Sequence, residues 1–145
     1  MSLTAIVDRL QTINAGITGI TRAFKRPPET IETAQLPAIA VVLGTWVIRD
    51  DEPYISGRRV EHNLKLRVYG NPHGQELNHA ARQADLEPFF ERVLDTYQQA
   101  MLLNELDGSR YEAKITGCRY GVAGGYDTLE FDLLIVEKYI VTVDT

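Results

Sequence analysis

The feature that most constrains the fold of this sequence is an alternation of side-chain character over residues 59–71. The series of every second residue from Val60 to Val68 contains four apolar side chains and His62, whereas the intervening series from Arg59 to Tyr69 is charged, polar or aromatic. A period of two is typical of a β-strand, because successive side chains project to opposite faces of a sheet. The pattern therefore predicts a half-buried strand, with one face on a core and the other face in water or at an interface.

The length and the charge of the chain limit the classes of protein to which it can belong. Its 145 residues suit one domain, spanning 1–145, with a core of its own. The formal charge is −5, from 15 basic and 20 acidic residues, which argues against a protein that neutralises many nucleic-acid phosphates. Since there is no apolar run of 18 residues and no charged-then-apolar leader, we expect no membrane span, no secretion signal and a cytoplasmic location.

A helix and a short strand are predicted at the N-terminus. Residues 3–13 carry apolar side chains at spacings of three and four, which is typical of an amphipathic helix. Ser2 or Thr4 is placed to cap the start of this helix, and Gly16 to end it in a left-handed conformation. Residues 17–24 are predicted to form a short strand.

Residues 25–37 form a predicted loop of unusual length. Pro27, Pro28 and Pro37 prevent regular pairing of the backbone, and many of the residues between them are polar. Loops of this length are commonly functional inside a compact domain. Two interpretations therefore stay open: a long surface loop, or an arm that reaches a neighbouring molecule.

A β-hairpin is predicted on the N-terminal side of the alternating strand. Residues 38–43 are apolar at every position, as in a strand that is covered on both faces. The strand continues through Trp46, which we expect to be a packing residue of the core or of the hairpin. It then reaches a charged, proline-broken tip at 49–58, after which the chain returns into the alternating strand.

A long helix and a second hairpin follow. Apolar residues at helical spacing between 76 and 102 predict a helix that either kinks at Pro88 or is divided into two, with Asp85 capping the second part. Residues 110–120 and 128–139 are predicted strands joined by a glycine-rich turn. The fold class is therefore α+β, with a mostly antiparallel sheet of four or five strands on which the N-terminal helix and the long helix pack.

The sequence contains no catalytic constellation. We expect His62 to be a core or interface side chain and Cys118 to be a buried structural thiol. His73 and His79 have no cysteine or tight carboxylate set beside them, and the acidic run at 50–52 is expected to be solvated. A phosphate-binding loop and a nucleophile elbow are both absent from the sequence. We therefore expect no metal, no cofactor and no enzymatic activity, but a binding or structural role.

The layout of the chain as a whole carries a resemblance to a known family. A proline-rich connection leads into Ala-Gln-Leu-Pro-Ala-Ile-Ala-Val-Val-Leu-Gly at 34–44, and a charged hairpin and a strand ending in Leu-Arg-Val-Tyr at 66–69 follow. A long helix with Pro-Phe-Phe at 88–90 and a final hairpin complete the layout. Over nearly its whole length, the chain resembles the tail terminator (tail-completion, minor tail) proteins of long-tailed bacteriophages and prophages.

The resemblance implies a non-enzymatic virion protein. Members of that family form a hexameric ring that caps the head-proximal end of the tail tube, ends its polymerisation and provides the docking surface for the head connector. The implied partners are further copies of the chain, the tail tube protein and the head–tail connector protein, with DNA only passing through the ring. The implied location is the host cytoplasm during assembly and then the tail of the virion.

The family has no fixed contact motif, so that candidate contact residues are chosen from this sequence alone. Charged residues of the hairpin and the second face of the alternating strand are placed to meet a neighbouring subunit or an axial partner. A closed ring makes such contacts head-to-tail between adjacent subunits. The candidates are Arg49, Asp50, Asp51, Arg58, Arg59, Lys65, Arg67 and Tyr69.

Two other classes of protein stay open. The first is another component of the phage neck or tail, such as a connector stopper or a tube subunit, which would also assemble without catalysing a reaction. The second is a small cytoplasmic α+β enzyme or ligand-binding domain with a pocket between helix and sheet. This second class requires convergent polar groups inside the pocket.

Overall fold

The computed structural model describes residues 3–50, 57–72, 79–98 and 110–140. Within these ranges lie two α-helices, a short 3₁₀ helix and five strands. In chain order they are α1 (Leu3–Ala15), β1 (Arg22–Phe24), the 3₁₀ helix (Thr33–Gln35), β2 (Ala38–Asp50), β3 (Gly57–Pro72), α2 (His79–Gln98), β4 (Arg110–Ala123) and β5 (Tyr126–Ile140).

The five strands form one mixed sheet in the order β1-β2-β3-β5-β4. β1 runs parallel to β2, and the other three neighbouring pairs are antiparallel. The α+β class and the mostly antiparallel sheet are therefore confirmed, with five strands. β4 and β5 are joined by a tight turn in which Gly124 and Gly125 have φ angles of 58° and 83°, a conformation that glycine adopts without steric cost.

β3, the strand predicted from the alternation, lies at the centre of the sheet. It pairs with β2 on one side and with β5 on the other. Leu64, Leu66 and Val68 are at most 2% exposed and belong to the main core. Lys65 and Arg67, which alternate with them, are partly exposed on the opposite face. The period of two therefore identifies both the strand and the face that is buried.

The two helices cover the same face of the sheet. α1 packs on β1 and β2, whereas α2 packs on β3, β4 and β5. Each helix buries one stripe of side chains: Ile6, Leu10 and Ile13 in α1, and Leu86, Phe89, Val93 and Tyr97 in α2. The Tyr97 hydroxyl donates to Asn14 Oδ1 at 2.6 Å and so joins the two helices. Burial raises the pKa of Tyr97, which keeps this hydroxyl protonated as a donor.

α2 is a single helix that contains Pro88. The alternative in which Asp85 caps a second helix is therefore wrong, and a kink at Pro88 stays a prediction. Proline has no backbone N–H, so that the carbonyl of Ala84, one turn earlier, lacks its usual donor. Both residues are exposed, which leaves that carbonyl accessible to water. The remainder of the predicted helix, at 76–78 and 99–102, lies outside the described residues.

The end of α1 differs from its prediction, and the prediction for its start is tested only in part. Thr4 lies inside the helix and does not cap it, and Ser2 lies outside the described residues. The left-handed glycine is Gly19, with a φ of 91°, and not Gly16. β1 contains only the last part of the strand predicted there, because the chain first turns so that Ile17 enters the core, where it is 4% exposed.

The β2–β3 hairpin extends beyond the helix layer. β2 has 13 residues and spans about 44 Å, whereas the 13 residues of α1 span about 20 Å. On the helix-covered side of β2, exposure rises from 0% at Val41 to 48% at Leu43 and 64% at Ile48. The far half of this strand therefore receives no cover from the described helices.

The hairpin remains regular almost to its tip. A bulge between Leu43 and Trp46 shifts the register by one residue, and the ladder then continues to Asp50 opposite Arg58. The two ends of the predicted tip at 49–58 are therefore strand. Its middle, residues 51–56, lies outside the described residues.

Replacing Gly19 by alanine is expected to lower the free energy of unfolding by about 1–3 kcal/mol, because its positive φ disfavours any Cβ. The added Cβ would also lie 2.7 Å from Arg92 Nη1 and 3.3 Å from the Phe89 ring. Gly16→Ala is the matched control, since its Cβ would meet the Ile13 carbonyl oxygen at an ordinary 3.4 Å. Urea denaturation measures both variants, and equal stabilities would show that Gly19 is not the constrained residue.

Candidate interaction surfaces

The loop at residues 25–37 folds back over the face of the sheet that the helices leave open. Ile31, within the loop, and Tyr69, on β3, belong to one small buried cluster. The Tyr126 hydroxyl donates to the Ile31 carbonyl oxygen at 2.6 Å, and the Tyr126 and Tyr69 rings meet edge to face at 6.3 Å. Because the loop packs on its own chain, the structure favours a surface loop over an arm that reaches a neighbouring molecule.

Next to this cluster, Glu130 on β5 interacts with three cationic side chains. Arg67 Nε donates to Glu130 Oε2 at 2.9 Å, and Lys65 Nζ and Arg119 Nη2 lie 3.5 and 3.3 Å from Glu130 Oε1. Arg119 also donates through both terminal nitrogens to Asp132, at 3.0 and 2.9 Å. These five side chains, which we call the charged cluster, connect β3, β5 and β4 on one face of the sheet.

Pairing lowers the pKa of both carboxylates in the charged cluster. Burial alone would raise the pKa of Glu130, but hydrogen bonds and charge interactions with Arg67 and Lys65 outweigh burial and lower it below the usual 4.5. The pKa of Asp132 is lowered mainly by its hydrogen bonds to Arg119. Both carboxylates are therefore ionised at neutral pH, and they neutralise most of the positive charge around them.

Three of the predicted contact residues, Lys65, Arg67 and Tyr69, lie on this face of β3. The sequence suggested contacts with a neighbouring subunit or an axial partner, whereas the acidic partner observed for both cations is Glu130 of the same chain. Tyr69 accepts a hydrogen bond from Arg67 Nη1 at 3.3 Å and is 3% exposed, because its own chain covers it. A contact of Lys65 or Arg67 with another molecule stays a prediction.

The other predicted contact residues lie at the far end of the β2–β3 hairpin. Arg49 is opposite Arg59, and Asp50 is opposite Arg58, in the last two rungs of the ladder. The structure therefore brings the backbones of these four residues together at one end of the sheet. Their side chains, and the whole of Asp51, lie outside the described residues, so that their contacts stay predictions.

On the helix-covered face, His62 and Glu137 form a buried polar pair. His62 is 2% exposed, which confirms the prediction that it faces the core, and Glu137 is fully buried. His62 Nε2 lies 3.3 Å from Glu137 Oε2. Glu137 was not predicted, because no local pattern marks it: it lies 75 residues from His62 and only the register of β3 against β5 brings the two together.

Several large apolar side chains are exposed among the described residues, and none was predicted to be so. They are Leu43, Trp46, Val47, Ile48, Phe90, Tyr120 and Val122. Trp46 is 45% exposed, so that a core position for it is wrong, whereas the alternative of packing on the hairpin stays a prediction. The apolar run at 38–43 predicted a strand covered on both faces over these residues, whereas the buried part ends after Val41.

Phe90 and Tyr120 line a shallow cleft of about 330 Å³ between α2 and β4. Glu87 and Glu91 lie on its helix side, and Cys118 lies on its strand side. Cys118 is half-buried, and burial raises the pKa of its thiol, which keeps it protonated and weakly nucleophilic at neutral pH. The cleft therefore presents an apolar surface with an acidic rim.

Within the described ranges, no metal centre and no membrane-spanning helix is found. No three histidine, cysteine, aspartate or glutamate side chains come together there as a set of metal ligands. Neither described helix combines the length and the apolar character that crossing a bilayer requires. Of the histidines, His79 begins α2, and His73 lies outside the described residues.

No protein-family model matches the chain, and no curated protein matches it significantly. A proposal about function therefore depends on the surfaces described above and on the resemblance seen in the layout of the sequence.

Glu130→Gln is expected to lower the free energy of unfolding by about 1–3 kcal/mol at neutral pH, because its cationic partners lose a carboxylate. The pKa of Glu130 is lowered in the folded chain. The carboxylate therefore contributes its full stabilisation above pH 4.5, and this stabilisation is lost as the pH falls through the lowered pKa. Urea denaturation from about pH 7 to about pH 3 should show the wild-type and variant stabilities converging in acid. Glu29→Gln, in the exposed part of the loop, is the control, and a difference independent of pH would contradict this account.

His62→Leu is expected to destabilise the fold by about 3–5 kcal/mol, because it leaves the buried Glu137 carboxylate without the imidazole. The double variant His62→Leu/Glu137→Leu should recover part of that loss, since two apolar side chains suit the surrounding core. A double-mutant cycle from urea denaturation measures the coupling. Strictly additive losses would mean that the two side chains do not stabilise each other.

Proposed function

We propose that this protein is a non-enzymatic assembly protein of a bacteriophage or prophage tail. Six copies form a ring on the head-proximal end of the tail tube, where the ring ends tube polymerisation and offers a docking surface to the head connector. Its partners are further copies of the same chain, the tail tube protein and the connector protein. It acts in the host cytoplasm before it becomes part of the virion.

The observation that carries the proposal is the order of the elements together with the long β2–β3 hairpin. A short N-terminal helix, a proline-rich connection, a hairpin, a long helix and a final hairpin follow one another, in the layout on which the resemblance to tail terminators rests. The hairpin extends past the helix layer, and an element that protrudes in this way suits contact with a neighbouring subunit or an axial partner.

The charge of the chain also supports the proposal. Six copies of a subunit with a formal charge of −5 carry about −30 in total, so that DNA in the ring is repelled and slides. The charged cluster is not a phosphate-binding patch that would counteract this repulsion of DNA. Glu130 and Asp132 already occupy its cations, which lowers their attraction for a further anion.

Electron microscopy of growing tubes tests the proposal. The tail tube protein of the same phage or prophage is polymerised in vitro with increasing amounts of the purified chain. We expect the mean tube length to fall as the chain is added, and a six-fold ring to be visible at one end of each capped tube. An unrelated acidic protein of similar size is the control for a non-specific effect of charge.

Two outcomes would contradict the proposal. A chain that polymerises alone into long tubes is a tube subunit, because a terminator stops at a ring. A chain that leaves tube length unchanged and forms no ring on tube ends has no capping function. In the second case, the cleft beside Phe90 and Tyr120 becomes the place to search for a ligand.

A further inference from the structure

The first 28 residues of the chain are basic, although the chain as a whole is acidic. They contain one acidic residue, Asp8, and four basic residues, so that their formal charge is +3: Arg9, Arg22, Lys25 and Arg26. The remainder of the chain therefore carries −8, since the total is −5. The structure places this positive charge in α1, in β1 and at the start of the loop that follows β1.

The positive charge lies along one edge of the sheet. β1 is the first strand of the sheet, and its outer side pairs with no other described strand. Arg22, Lys25 and Arg26 are exposed along this side, and Lys25 Nζ is bound by Asp8 Oδ1 at 2.8 Å. These three cations and the outer side of β1, which we call the β1 edge, therefore suit an acidic neighbour.

A cleft of about 470 Å³ opens at the β1 edge, between β1 and the C-terminal half of α1. Small or polar side chains and one arginine line it: Gln11, Thr12, Ala15, Thr21, Arg22 and Ala23. Gln11 Nε2 donates to the Ala23 carbonyl oxygen at 3.0 Å, which holds α1 beside β1. A cleft that combines methyl groups with hydroxyl and amide groups suits a side chain with an apolar body and a polar end, such as tyrosine.

The opposite edge of the sheet presents an exposed tyrosine with acidic neighbours. β4 is the last described strand there, and its Tyr120 lies beside Phe90 of α2, both side chains being 44% exposed. Glu87 and Glu91 are exposed and line the same surface, which we call the β4 edge. Arg119, which also lines it, is already held by the carboxylates of the charged cluster. The β4 edge therefore suits a basic neighbour.

Ala23 and Tyr120 lie on one rung of the sheet. The pairing runs from Ala23 to Ile39, then to Val68, Leu129 and finally Tyr120. The first four of these residues belong to the main core and so lie on the helix-covered side. Tyr120 and the cleft lined by Ala23 are therefore at the same position along the strands and on the same side of the sheet.

The directions of β1 and β4 also suit pairing between two copies. β1 runs parallel to β2, and three antiparallel pairings separate β2 from β4, so that β1 and β4 run in opposite directions. A second copy rotated about an axis roughly along the strands keeps both the direction and the position of its strands. Its β1 edge then meets the β4 edge of the first copy in an antiparallel arrangement. Because no slide along the strands is needed, successive rotations can close into a ring.

From these observations we infer that the β4 edge of one copy docks on the β1 edge of the next, with Tyr120 in the cleft lined by Ala23. The inference rests on the proposed ring, for which it names the contact between subunits. Glu87 and Glu91 then face the cations of the β1 edge, and both open strand edges are covered. Since the two edges are unlike, the contact is head-to-tail and not two-fold.

Charge reversal tests the electrostatic part of the contact. Arg22→Glu/Arg26→Glu makes the β1 edge acidic, Glu87→Lys/Glu91→Lys makes the β4 edge basic, and a fourfold variant carries all four changes. Sedimentation velocity at about 100 μM, where a micromolar contact is saturated, should show a closed oligomer for the wild type and a monomer for each double variant. The fourfold variant should form the oligomer again, because its two edges are complementary with the signs exchanged.

Two further variants test the fit of the side chain in the cleft. Tyr120→Ala removes that side chain, and Ala15→Trp fills the cleft, so that each should raise the dissociation constant about tenfold or more. Glu29→Lys/Thr30→Lys, at exposed positions of the loop, is the control for added charge and should leave the oligomer unchanged. Circular dichroism verifies that each variant folds, and glutamine replaces the reversed charges in any double variant that does not.

Three outcomes would overturn the inference. They are a wild type that is monomeric, a folded double variant that still forms the oligomer, and a folded fourfold variant that stays monomeric. Restoration in the fourfold variant cannot come from a general effect of net charge, because the fourfold variant and the wild type have the same formal charge.

The tube assay separates this inference from the proposed function. If the wild type caps tubes while the double variants assemble unchanged, the ring function stands and the contact lies elsewhere. If charge reversal abolishes the oligomer and the fourfold variant restores it, while the wild type leaves tubes unaffected, the contact stands and the tail function fails.

Discussion

The register of β3 against β5 is the constraint on which the rest of the structure depends. Leu66 opposite Phe131 fills the core on one face, and Arg67 opposite Glu130 pairs charges on the other. A slip of one residue would turn both pairs over and place the charges in the core. The same ladder positions His62 beside Glu137, so that three unlike features are set by one alignment.

The sheet is longer than the helices that cover it, and this mismatch gives its two halves different characters. Near Ala38, the strands are covered by helices on one face and by the proline-rich loop on the other. Beyond Val41, neither the described helices nor the loop covers β2, and Trp46 and Ile48 are exposed. The first half has the properties of an ordinary core, whereas the second half exposes large apolar side chains. β2 runs through both halves, and it is apolar in both.

Local patterns in the sequence predicted the helices and strands of this fold. The features that they did not predict depend on how strands distant in sequence pair in the sheet. Alternation placed β3 and its buried face correctly, because the polarity of each side chain in a half-buried strand indicates the face on which it lies. The apolar run of β2 carries no such information: Val41 and Ile48 are equally apolar, yet one is buried and the other exposed. Glu130 and Glu137 also look alike in sequence. Their roles differ because of their neighbours on other strands: Glu130 belongs to the charged cluster, and Glu137 is the partner of His62.

The part of β2 that the described elements leave open has a further consequence. Residues 41–48 read Val-Val-Leu-Gly-Thr-Trp-Val-Ile, with no charged residue and no proline. Segments of this composition stack readily into cross-β fibrils, and natural edge strands usually carry a lysine or a proline that prevents such stacking. Residues 41–48 are therefore a candidate site for aggregation wherever their open edge meets other chains.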